Sequence, residues 1–119
     1  MRQTINTAWI IGILILCTVS ILESLPAHAA GNPKNGKAIY EKHCVHCHGS
    51  QGKGDGPTGK LLNPPATDFT GIASKKKTEA DLRKMVENGK PGTAMASWKE
   101  QLTEAGIADV LAYLIMLRK

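Results

Sequence analysis

The sequence predicts an all-α domain of three to four short helices. Three observations carry this. Apolar residues recur at helical spacing in Leu82-Met85-Val86 and in Ile107-Val110-Leu111-Leu114-Ile115. Helix-opening residues stand ahead of three stretches, at Asn32-Pro33, Thr78 and Thr103. No strand-rich pattern accompanies them, and the long Gly/Pro-rich stretch between residues 49 and 69 reads as loop.

The chain of 119 residues opens on a segment that is expected to be removed. Arg2 precedes an apolar run of about 15 residues, 8–22, followed by Pro26 and Ala27-His28-Ala29. A charged start, a short apolar core and small residues two apart make a secretory signal peptide over residues 1–29, cut before Ala30. The alternative is a membrane anchor over residues 8–22, but a bilayer span needs roughly 20 apolar residues. The domain is then residues 30–119, with 14 basic and 9 acidic residues and the same net charge of +5 as the full chain. So small a domain buries a modest core, and it holds few aromatics: Tyr40, Phe69, Trp98 and Tyr113.

The elements follow in order. Asn32 caps a first helix with Pro33 at its first position, and Gly36 leaves room for a close neighbour. The segment Cys44-Val45-His46-Cys47-His48 comes next, then the loop, in which Leu61, Leu62 and Phe69 are expected to pack inwards. A helix over Glu79–Asn88 has Thr78 and Asp81 as a capping-box pair and Gly89 as its stop. The last helix spans residues 104–117, with Gly106 expected to meet Gly36 and with Arg118 and Lys119 suiting its negative end.

Cys44 and Cys47 are the only cysteines of residues 30–119. A disulfide between residues three apart would close a tiny loop and stabilise little. Structural zinc wants about four ligands, and the second Cys/His pair is missing. Cys-x-x-Cys-His is the attachment signature of c-type haem. Each thiol adds across a vinyl group on one porphyrin edge, its hydrogen passing to the other vinyl carbon. Residues i and i+3 share one helical face, and His48 is then carried beneath the ring to bind the iron. One such motif implies one covalent haem c.

A six-coordinate iron needs a ligand opposite His48. His43 and His46 are tethered beside the cysteines, and Met85 and Met116 occupy helical positions that core packing explains. Met95 lies in Lys90-Pro91-Gly92-Thr93-Ala94-Met95-Ala96-Ser97-Trp98, a non-helical stretch of small residues that allows close approach to a ring. Met/His ligation suits an electron-transfer haem, so Met95 is the expected distal ligand.

This order of parts resembles the class I cytochrome c family across roughly residues 32–117. A helix with Gly36 and Tyr40 leads into the haem motif and a Gly/Pro loop. A methionine loop with Trp98 and a helix with Tyr113 complete the order. Gly52-Lys53-Gly54-Asp55-Gly56-Pro57 and Pro65-Ala66-Thr67-Asp68-Phe69 look like small bacterial monohaem members. The resemblance implies a cytochrome c fold wrapped around one covalently bound haem. It implies thioethers at Cys44 and Cys47, His48 as proximal ligand and Met95 as distal ligand. It implies a first helix crossing the last where Gly36 meets Tyr113. It also implies a proline-loop carbonyl (Pro57, Pro64 or Pro65) on the proximal imidazole.

The expected function is that of a periplasmic single-electron carrier rather than an enzyme. Its expected partners are redox proteins with acidic docking surfaces, met through lysines such as Lys53, Lys60 and Lys75-Lys76-Lys77. Nucleic acid is excluded for an exported haem domain, and membrane contact would come only through partner complexes or an uncleaved N-terminal segment. Two alternatives stand: a haem subunit of a larger oxidoreductase, or a five-coordinate peroxidase or gas sensor if Met95 is not a ligand.

Overall fold

The computed structural model describes residues 30–119. The expected signal segment 1–29, and its alternative as an anchor over residues 8–22, lie outside the described residues. Among the described residues no helix is long and apolar enough to cross a membrane.

Three helices of several turns make the frame: α1 (Pro33–His43), α4 (Glu79–Asn88) and α5 (Glu104–Leu117). Two single-turn helices, α2 (Val45–His48) and α3 (Ile72–Lys75), and a 3-10 turn at Gly59–Leu61 lie between them, and no strand is present among the described residues. The long helices open on the residues the sequence marks. The Asn32 side chain accepts from the Lys34 N–H at 2.9 Å. At α4 the box is reciprocal: Thr78 Oγ1 accepts from the Asp81 N–H at 3.1 Å, and the Asp81 carboxylate accepts from the Thr78 N–H at 2.8 Å. Thr103 Oγ1 accepts from the Gly106 N–H at 3.1 Å.

Helix α1 crosses α5 at Gly36. A Cβ there would run into the Asp109 carbonyl and sit 3.0 Å from Tyr113 Cβ. The missing side chain is what lets the two backbones touch, and the Asn32 N–H fastens the crossing to Asp109 Oδ1 at 2.6 Å. Gly106 does not meet Gly36. It faces the Ile39 side chain instead, because the crossing point lies one helical turn further on, at Asp109. The Tyr40 ring, 1% exposed, stands edge-on to Tyr113 at 5.3 Å. The buried stripe Ile107, Val110, Leu111 and Leu114 of α5 packs with Leu82 and Val86 of α4.

Three further residues depart from expectation. Leu61 is 84% exposed, because the 3-10 turn directs it outward, while Leu62 is half-buried and Phe69 buried. Met116 is 52% exposed; two residues past Leu114 it falls on the far side of the helix, so core packing does not explain it. Arg118 does not serve its own helix. Its guanidinium donates to the Ser74 carbonyl and, at 2.8 Å, to the Lys77 carbonyl, tying α3 and the lysine run to the end of α5.

Candidate functional site

The site begins where α1 stops. The Cys47 and His48 N–H groups both bond back to the Cys44 carbonyl, at 3.2 and 2.9 Å, so Cys44 and Cys47 share one turn. Both thiols are free and half-buried, and both line one cavity. Burial, with Cys47 adding to it, pushes the Cys44 thiol up to about 11. Among the described residues no three His, Cys, Asp or Glu gather into a metal-holding group.

His48 is held on two sides. Its Nδ1 lies 3.1 Å from the Thr67 carbonyl, and its ring stacks on Phe69 at 4.5 Å and 21°. A carbonyl only accepts, so the bond places the proton on Nδ1 and leaves the Nε2 lone pair free. Burial holds the imidazole below its ordinary pKa, and the Thr67 bond offsets part of that. A neutral imidazole with its other nitrogen engaged is the form that ligates a metal.

The partner of His48 is therefore Thr67, not Pro57, Pro64 or Pro65. The reason lies in the glycine loop. The Phe69 N–H bonds the Gly52 carbonyl at 2.7 Å, and the Ala66 N–H bonds Gly59 at 3.3 Å. Gly54, at φ +72°, lets residue 66 come against the loop where a Cβ would strike its carbonyl. Residues 66–69 are thus laid along the loop, past the prolines, with Thr67 opposite the imidazole. The Tyr40 hydroxyl donates to the Gly49 carbonyl at 2.7 Å and fixes the loop's near end.

Met95 lines the same cavity as Cys44, Cys47 and His48. Its loop is fastened to α4: the Trp98 N–H reaches the Val86 carbonyl at 3.0 Å, the Lys99 N–H reaches Glu87 at 3.2 Å, and Ser97 Oγ donates to Glu87. Within the loop the Lys90 N–H bonds the Met95 carbonyl at 3.0 Å, and the Met95 N–H bonds Thr93 Oγ1 at 3.2 Å. Gly89, at φ +70°, closes this loop because any Cβ would meet the Met95 carbonyl.

Of the other sequence candidates, Met85 also lines the cavity and Met116 does not. His46 is exposed and stays outside it. His43 is on the cavity wall, its ring tilted against Trp98 of the methionine loop at 5.1 Å, so it bridges towards that loop rather than staying beside His48. Leu62, Phe69, Leu82 and Leu114 supply apolar walls. An apolar slot with two thiols, one oriented imidazole and a thioether fits a flat apolar ring that carries two vinyl groups and a metal.

Sequence reading missed two contributors, Thr67 and Lys90, and read a third, Lys77, as part of a docking run. Thr67 acts through its backbone, which no side-chain pattern reports. Lys77 and Lys90 line the cavity, which their positions in the sequence do not report.

Comparison with known proteins gives consistent results. The family model described as cytochrome c oxidase, cbb3-type, subunit III matches residues 31–114. The cytochrome c-554(547) of Halothiobacillus neapolitanus is 32% identical over 91 residues, 75% of this chain and 100% of that protein. A cytochrome c6-like protein of Nostoc sp. is 35% identical over 104 residues, 86% of this chain and 87% of that one. The dihydro-heme d1 dehydrogenase of Pseudomonas aeruginosa is 34% identical over 90 residues, 76% of this chain; the match spans only 16% of that protein's length. Among solved structures, a chain of the Kuenenia stuttgartiensis reducing HAO-like protein complex superposes with a TM-score of 0.64 at 28% identity, covering 74% of this chain and 43% of that one.

Proposed function

Since the chain belongs to the cytochrome c family, we propose that Cys44 and Cys47 would carry one haem c through thioethers and that His48 Nε2 and Met95 Sδ would hold its iron. The family makes it an electron-transfer domain. On this reading it carries single electrons outside the cytoplasm, exported by a signal peptide over residues 1–29 that is cleaved to leave residues 30–119. Haem c, when bound, supplies an iron whose charge changes by one.

The chain's own residues set the rest. Thr67 holds the proton of Nδ1 and so keeps Nε2 aimed and unprotonated. Phe69 prevents the imidazole from turning. The bonds from the 95–99 segment to α4 hold the Met95 loop in one conformation, so little rearranges when charge arrives. Apolar walls keep water away from the ring, and the lysine-rich surface suits redox partners with acidic docking faces.

The observation that supports this reading best is that both cysteines, the oriented His48 and the pinned Met95 line one cavity. The fastened loop also weighs against an open, five-coordinate peroxidase or sensor site. Replacing Met95 by Ala tests it. The oxidised wild type should show the weak far-red band of a methionine–ferric bond, and Met95→Ala should lose the band, bind carbon monoxide and fall in reduction potential. A wild type that lacks the band and binds carbon monoxide rapidly overturns the shuttle reading.

A second reading rests on the dehydrogenase match, in which this chain corresponds to one part of a far longer protein. The domain would then be the haem subunit of a larger oxidoreductase. Gentle purification at native expression level separates the two: a carrier elutes alone, a subunit elutes with its partner.

A further inference from the structure

The cavity has a charge pattern that iron ligation does not use. Among its lining residues, Lys77 and Lys90 are the only members of Asp, Glu, Lys and Arg. Its other titratable groups are Tyr40, His43, Cys44, Cys47 and His48. No carboxylate lines the cavity with these two cations; Lys77 is half-buried, with Asp81 outside the cavity near enough to feel its charge, and Lys90 is exposed.

Both lysines are fixed through their backbones. The Lys77 carbonyl takes the Arg118 guanidinium at 2.8 Å, and the Lys77 N–H bonds the Ser74 carbonyl at 3.0 Å. The Lys90 N–H bonds the Met95 carbonyl at 3.0 Å, and its own carbonyl accepts from Thr93 Oγ1 at 2.8 Å and from the Thr93 N–H at 3.2 Å. Neighbouring Lys75 and Lys76 are exposed and do not line the cavity. Neither Lys77 nor Lys90 forms an ion pair with an acidic side chain among the described residues.

A porphyrin of the haem type carries two carboxylates. Resting on the haem reading above, we infer that Lys77 and Lys90 are the counter-cations for these carboxylates, and thereby set the charge felt by the iron. They are positioning residues of the cofactor rather than docking residues for a partner. A half-buried charge such as that of Lys77 is screened less than an exposed one such as that of Lys90. Removing it favours the ferric state, which carries the extra positive charge.

The test compares three variants of the holoprotein by spectroelectrochemistry at neutral pH: Lys77→Gln with Lys90→Gln, Lys75→Gln with Lys76→Gln, and Lys77→Arg with Lys90→Arg. The first two lose the same net charge. At a fixed poise near the wild-type midpoint, the first should move the oxidised-to-reduced ratio severalfold towards oxidised. The second should leave it near wild type, and the arginine pair should restore it. Resonance Raman should show the haem-carboxylate deformation bands shifted in the first variant alone. Equal ratios in the first two variants, or an unchanged first variant, would overturn the inference. Absence of attached haem from the wild-type chain, read by its pyridine haemochrome, would instead sink the reading beneath it.

Discussion

Asp81 shows how a single side chain does two tasks. Its carboxylate accepts from the Thr78 hydroxyl at 2.7 Å and the Thr78 N–H at 2.8 Å, and these bonds, the hydroxyl first, hold it below the usual carboxylate range. The sign follows from linkage. A carboxyl whose pKa is depressed by folding stabilises the fold above its unfolded pKa and loses that contribution as pH falls through the folded value. Asp81→Asn should therefore flatten the acid limb of the stability profile, measured by urea midpoints between neutral pH and pH ~3. Thr78→Ala should cost about 1 kcal/mol at neutral pH through the lost cap. These two residues were legible in the sequence because a capping box is local. Thr67 was not, since the contact with His48 depends on how residues 66–69 lie along the glycine loop.

At the scale of elements, two glycines decide whether helices and loops can meet. Gly36→Ala would drive a methyl into the Asp109 carbonyl and against Tyr113 at the α1–α5 crossing. Overpacking of this kind typically costs about 1–3 kcal/mol, and backbone on the far side leaves little room to yield; a fall in the urea midpoint with haem still attached would show it. Gly89→Ala acts elsewhere. It places an alanine at φ +70° against the Met95 carbonyl, a conformation that disfavours any Cβ. Its expected result is a weakened methionine band and faster carbon monoxide binding, with a smaller effect on stability than Gly36→Ala. The long helices and their caps could be read from spacing because each is set within a few residues. Short α3 escaped notice because one turn leaves no periodicity, and its place is fixed by Arg118 from the other end of the domain. The outward turn of Leu61 escaped for the same reason: alternation within a loop does not report which way a 3-10 turn faces.

For the molecule as a whole, the cavity is the largest fact about stability. Phe69, Leu82 and Leu114 belong to the buried core and also line the cavity. On the proposed reading, taking the ring away would leave the cavity-facing side of these walls uncovered in a domain already short of core. A Cys44→Ser, Cys47→Ser chain should therefore lose most of its cooperative thermal transition and bind ANS, with part of its helical circular dichroism retained. A haem-free chain that melts as sharply as the holoprotein would show that α1, α4 and α5 suffice on their own. The sequence carried the need for such a filler, in its few aromatics and small size, but not the arrangement of the walls. Those come from five separated stretches (40–48, 62–69, 74–85, 90–98 and Leu114), and only their folding together reveals which residues they share.

The crossing of α1 and α5 also bears on the order of events during maturation. The Asn32–Asp109 bond joins residues 77 apart in the chain, and closing so long a loop is an entropic cost met late in folding. Cys44 and Cys47 lie inside that loop and are half-buried in the folded domain. On the proposed reading, thioether formation at these two sulfurs would come before the crossing closes. The helix crossing would then act as a latch that drops after the cofactor is in place.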